Sequence, residues 1–100
     1  MYNGFSSSRY VNFTLNKPIP KGAKVYFKVR YGSDSNSSLP IGSNLYGYNN
    51  NTRVGVIHHT GNKETDYIVS GTYSDTITAL RWQPINETNG LLFQLYWIYA

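Results

Sequence analysis

The chain has 100 residues, a formal net charge of +4 and no cysteine; aromatic residues make up 16% of it, ten of them tyrosine, and charged residues only 14%. That length suits one domain with a single core and leaves no room for a second. Without thiols there is no disulfide framework, zinc finger or thiol enzyme, so packing and hydrogen bonding alone must hold the fold, and a chain rich in rings and poor in charge favours strands over disorder.

The opening stretch "MYNGFSSSRY" has no basic segment followed by an apolar one, so it is not read as a signal peptide. From there the dominant period is two. "RYVNFTL" puts Val11, Phe13 and Leu15 on one face and Tyr10, Asn12 and Thr14 on the other. "NKPIPKG" interrupts it, because two prolines deny ladder donors and Gly22 permits a turn. "AKVYFKVRY" alternates most clearly, with Val25, Phe27, Val29 and Tyr31 inward and Lys24, Tyr26, Lys28 and Arg30 outward. "GSDSNSSLPIGS" is a polar stretch read as a long loop. "NLYGY", the turn "NNNT" and "RVGVIHH" read as a hairpin, "TGNKE" as the next turn, and "TDYIVSGTY" and "TITALRWQP" as two strands meeting near "SD". In "INETNG", Asn89-Gly90 suits positive φ and leads into the last strand.

That last strand, "LLFQLYWIYA", is greasy on both faces. It is about half the length of a membrane helix, so no membrane insertion is expected. Two readings remain: a central strand whose outer side is covered, or a subunit contact on the face of Leu92, Tyr96 and Ile98. No segment carries an amphipathic helical stripe. The series predicts an all-β fold, an antiparallel β-sandwich or small barrel of about seven to eight strands, in a single domain over residues 1–100.

Catalytic chemistry is hard to find. The carboxylates are Asp34, Glu64, Asp66, Asp75 and Glu87; four fall in or beside turns, and although Glu64 and Asp66 share a face at spacing two they would begin a strand at the rim, so no glycosidase pair is expected. His58 and His59 are adjacent on a strand, so they point to opposite faces and cannot share a metal; one is expected to face solvent or a ligand and the other to be hydrogen-bonded at the edge of the core. No nucleophile elbow, phosphate loop or calcium loop is present. The chain is therefore read as a non-enzyme, with no cofactor and no metal.

What remains are surfaces that bind. Lys24, Tyr26, Lys28 and Arg30 form a basic, aromatic stripe that could follow single-stranded nucleic acid, although lysines on a strand also serve simply to keep it soluble and unpaired, and nucleic acid is the less favoured partner. A second surface mixes the rings of Tyr46, Tyr48, Trp82 and Trp97 with donors and acceptors on Asn44, Arg53, His58, Arg81 and Gln83. Sugar recognition uses this mixture, since a pyranose offers an apolar C–H face to a ring and hydroxyls to amides and guanidinium groups.

"YIVSGTYSDTITALRWQP" followed by "LLFQLYWIYA", with the steps Asp75-Thr76-Ile77 and Leu80-Arg81-Trp82, resembles the second half of galactose-binding-like jelly rolls. These are the carbohydrate-binding modules attached to glycanases and found in phage tail and receptor-binding proteins. "YVNFTLNKPIPKGAKVYFKVRY" is similar to their paired early strands, while only "YNGF" stands for the opening strand of the longer relatives.

The resemblance implies a jelly roll, sugar binding on a sheet face, and a C-terminal tip of a larger extracellular or virion-associated protein that assembles as a homotrimer through its last strand. Tyr46, Tyr48 and Trp82 are then expected to stack on sugar rings, while Asn44, Arg53, His58, Arg81 and Gln83 hydrogen-bond hydroxyls of a cell-surface glycan or anionic cell-wall polymer. The rival expectations are a structural trimerisation module and the nucleic-acid binder.

Overall fold

The computed structural model describes residues 3–6, 10–31, 41–85 and 93–100, the first of these by backbone alone. They form eight strands: β1 (Asn3–Ser6), β2 (Val11–Ile19), β3 (Val25–Arg30), β4 (Ile41–Asn49), β5 (Thr52–Gly61), β6 (Asp66–Gly71), β7 (Ile77–Ile85) and β8 (Gln94–Tyr99). The strands pair antiparallel into two four-stranded sheets, ordered β1-β8-β3-β6 and β2-β7-β4-β5. This is the predicted antiparallel β-sandwich, with no helix among the described residues.

The alternation read from the sequence sets which side of each strand is buried. Val25, Phe27 and Val29 of β3 point into the core with Val69 of β6 and Leu95 and Ile98 of β8, facing Ile19, Leu45, Ile57, Leu80 and Trp82 from the other sheet. Tyr31, Tyr73 and Phe93 are buried in the same core.

Turn chemistry does the rest. Asn50 and Asn51 both take positive φ, 48° and 74°, giving the two-residue hairpin turn whose twist matches the flanking strands. Gly22 takes φ 81° in the turn closed by the Ala23 N–H to the Pro20 carbonyl at 3.1 Å, a conformation that a side chain there would strain.

Three expectations change. β2 continues through Lys17 and Pro18 to Ile19, past the interruption read at "NKPIPKG", with its register against β7 shifted between Thr14 and Ile19. The polar loop is shorter than read at its C-terminal end, because Ile41, Gly42 and Ser43 are buried and belong to β4. In β8, Tyr96 and Ile98 do not share a face. Lys28 pairs with Trp97 but Val29 with Leu95, so Tyr96 is the extra residue of a bulge, and Ile98 lies opposite Phe27 in the core. β8 is a central strand between β1 and β3, which accounts for its inward Leu95 and Ile98. The bulge is why Tyr96 and Trp97 are both left outside the core. Leu92 and the Asn89-Gly90 turn lie outside the described residues.

Candidate functional site

Strand β4 presents Asn44, Tyr46 and Tyr48 alternately with buried Ser43, Leu45 and Gly47, so these three line one outward row. The register builds a face around them. Asn44 lies between His58 and Gln83, Tyr46 between Val56 and Arg81, Tyr48 between Arg53 and Ala79, and Arg81 is also paired with Asn12. Strands distant in sequence thus bring Asn44, Tyr46, Tyr48, Arg53, His58, Arg81 and Gln83 together on the outer side of the β2-β7-β4-β5 sheet.

Two tryptophans are the exceptions: Trp97 lies on β8 of the opposite sheet and not on this surface, and Trp82 corrects the expectation that it stacks on a sugar. It is 0% exposed, between Val11 and Leu45 on the inner side of the same sheet. Neighbours on a strand face opposite ways, so Arg81 and Gln83 can face a ligand only if Trp82 does not.

The face is cross-linked by its own side chains. Asn44 Nδ2 donates to Tyr46 Oη at 3.0 Å, and Asn44 Oδ1 accepts from His58 Nδ1 at 2.6 Å. Arg53 Nη2 donates to Tyr48 Oη at 3.0 Å while the guanidinium lies 3.8 Å from the Tyr46 ring centroid. Arg81 Nε donates to Asn12 Oδ1 at 2.8 Å, and its guanidinium sits 4.3 Å from the Tyr10 ring. Arg53 therefore covers one side of the Tyr46 ring, so the face offers guanidinium edges, phenol hydroxyls and amides more than bare rings.

Tyr10 and Asn12 were not among the residues singled out for binding. Asn12 could have been flagged as polar on an alternating strand, but its partner is 69 residues away and only the register reveals it.

His59 belongs to a different environment. Tyr31 Oη lies 2.7 Å from His59 Nδ1 and 3.2 Å from the buried Ser43 hydroxyl, and the rings of Tyr31, His59 and Tyr67 pack together at one end of the core. Burial pushes the Tyr31 phenol up to about 12, partly offset by its hydrogen bond with Ser43. Burial, with a smaller contribution from the neighbouring His58, lowers the basicity of His59.

The unfolded chain protonates this imidazole near 6.5, its ordinary value, whereas the folded chain resists until lower pH. Between those points the unfolded state holds more protons, so stability falls as the solution is acidified through and below about pH 6.5. The urea midpoint is expected to drop on going from neutral pH to about pH 5, and His59→Gln to show a smaller drop. Equal slopes in the two proteins would remove His59 as the cause.

The opposite sheet carries the basic stripe. Arg30 is neutralised by Asp66 at 2.9 Å, and Lys28 and Lys24 lie over the rings of Tyr96 and Tyr26. Asp75 accepts from Asn49 Nδ2 at 3.2 Å and from the Thr76 N–H at 2.8 Å, a turn-capping role. Among the described residues no three His, Asp or Glu side chains gather as a metal site, and no helix is long and apolar enough to cross a membrane. Compared with known protein families, curated proteins and solved structures, the chain shows no match.

Proposed function

We propose that the chain is a non-catalytic carbohydrate-binding module that grips a cell-surface or cell-wall glycan on the outer face of the β2-β7-β4-β5 sheet. One observation carries this reading. Two tyrosines, two arginines, a histidine and two asparagines sit on the outer face of one sheet, joined by hydrogen bonds within the set: Asn44 with Tyr46 and His58, Arg53 with Tyr48, and Arg81 with Asn12. A polyol needs this density of planar donors next to rings. The strand order β1-β8-β3-β6 facing β2-β7-β4-β5 supports the jelly-roll reading, and with it a host-binding tip of a phage tail or lytic protein. Shallow wet faces bind weakly, at about −4 to −8 kcal/mol, and gain strength from several copies acting together.

The test is an array of glycans and wall polymers probed with the chain and with Tyr48→Ala. Tyr48 anchors Arg53 through its hydroxyl and lies 5.7 Å from the Arg81 guanidinium. Its removal is expected to weaken binding about tenfold, ~1.4 kcal/mol, while circular dichroism still reports a folded sandwich. Unchanged binding by the folded variant would sink this assignment of the face.

A second reading, an assembly module, is favoured by the other sheet. Ile68 is 64% exposed and Tyr99 63% exposed there, near Tyr26 and Trp97. It calls for a trimer by light scattering and silence on every glycan array. The nucleic-acid alternative is weaker, because Asp66 neutralises one cation of its stripe.

A further inference from the structure

The four strands of the candidate face, β2, β4, β5 and β7, contain no aspartate or glutamate. A surface built only for solubility mixes both signs of charge. Here the charges turned outward near Tyr48 are Arg53 and Arg81, whose guanidinium groups lie 5.6 and 5.7 Å from its ring centroid. Neither has a carboxylate partner among the described residues, where the ion pair is Arg30 with Asp66 on the other sheet. Asp75, in the turn before β7, is engaged by Asn49 and Thr76 instead.

Both guanidinium groups are held in place rather than loose. Arg53 stacks on Tyr46 at 3.8 Å and donates one N–H to Tyr48; Arg81 stacks on Tyr10 at 4.3 Å and donates its Nε–H to Asn12. Each has five N–H donors, so most remain for a ligand. A stacked guanidinium with a free edge is pre-organised for an oxyanion, which it takes through two parallel hydrogen bonds.

We propose that the glycan recognised by this face is acidic, and that its carboxylate or phosphate is received by Arg53 and Arg81 around Tyr48 while Asn44, His58 and the tyrosine hydroxyls take the neighbouring sugar hydroxyls. The inference rests on the carbohydrate reading and adds the charge of the ligand. Two sources share this chemistry: a uronate-type sugar and a polyol-phosphate wall polymer.

The experiment is a calorimetric titration of the whole chain with three probes: a neutral oligosaccharide, an oligogalacturonate and a glycerol-phosphate oligomer. At least one acidic probe is expected to bind about tenfold or more tightly than the neutral one. Arg53→Gln with Arg81→Gln is expected to erase that preference, so that the variant binds acidic and neutral probes alike, whereas Lys24→Gln with Lys28→Gln on the opposite sheet leaves the preference intact. Arg53→Lys, which keeps the charge but loses the fork and stack, is expected to recover only part of it.

Which acidic probe wins identifies the source. Neutral and acidic probes binding equally would overturn the acidic ligand, and a preference surviving the double arginine change would overturn its capture by Arg53 and Arg81, either result leaving the carbohydrate reading in place. No binding of any probe would overturn both.

Discussion

Trp82→Ala is expected to destabilise the fold by about 3–5 kcal/mol, the range for emptying a buried large aromatic site. The ring is 0% exposed and sits at the centre of the inner face of its sheet, between Val11 and Leu45 in the register. A buried indole removes roughly 150–250 Å² from water, and neighbouring strands tied in a ladder cannot collapse into the space it leaves. A domain of this size has a net stability of about 5–15 kcal/mol, so the loss takes a large share of it. The readings are the urea midpoint and a melting temperature lower by roughly 12–40 °C. The same substitution separates the two roles considered for this tryptophan. A surface platform would lose ligand with little change in stability; a core plug loses stability first. A cost below about 1 kcal/mol would contradict the burial.

Gly42→Ala ranks next, and it ties the stability of the sheet to the geometry of the candidate site. A Cβ at Gly42 would overlap the backbone carbonyl oxygen of His59 and come within 2.8 Å of the Thr60 Cα. These are backbone atoms of the paired strand, where Gly42 lies opposite Thr60, so no side chain can swing aside to make room. The strands must separate locally, at about 1–3 kcal/mol or more for an overpacked position.

The separation falls where the Asn44–His58 hydrogen bond joins β4 to β5 on the outside, and where the Tyr31 hydroxyl meets both strands at the core end, at Ser43 of β4 and His59 of β5. We expect a lowered urea midpoint, amide chemical-shift changes concentrated in residues 41–45 and 57–61, and weaker glycan binding. A variant as stable as the parent with unshifted amides would show that β5 can move away freely.

How far the candidate site could be read in advance differs residue by residue. Asn44, Tyr46 and Tyr48 were legible as one outward row, because alternation with Leu45 and Gly47 marks them in the sequence alone. The opposite destinations of His58 and His59 follow from the same rule, and hydrogen bonds to Asn44 and Tyr31 bear it out. Alternation also separates Trp82 from Arg81 and Gln83; grouping the three as one site set that rule aside in favour of residue chemistry.

Local pattern and turn chemistry determined the class of fold: residues of period two, the Asn50-Asn51 and Gly22 turns, and no helical stripe suffice for an antiparallel sandwich, because each acts over a few neighbouring residues. Only tertiary structure decided which strands lie side by side. Pairing β7 with both β2 and β4 is what places Arg81 beside Asn12 and Tyr46, and pairing β4 with β5 is what lays Arg53 on a tyrosine ring. The bulge that turns Tyr96 away from Ile98 is likewise invisible in β8 alone, since it exists only relative to β3. Register between distant strands depends on how all the side chains pack at once, and no short window of sequence contains that sum.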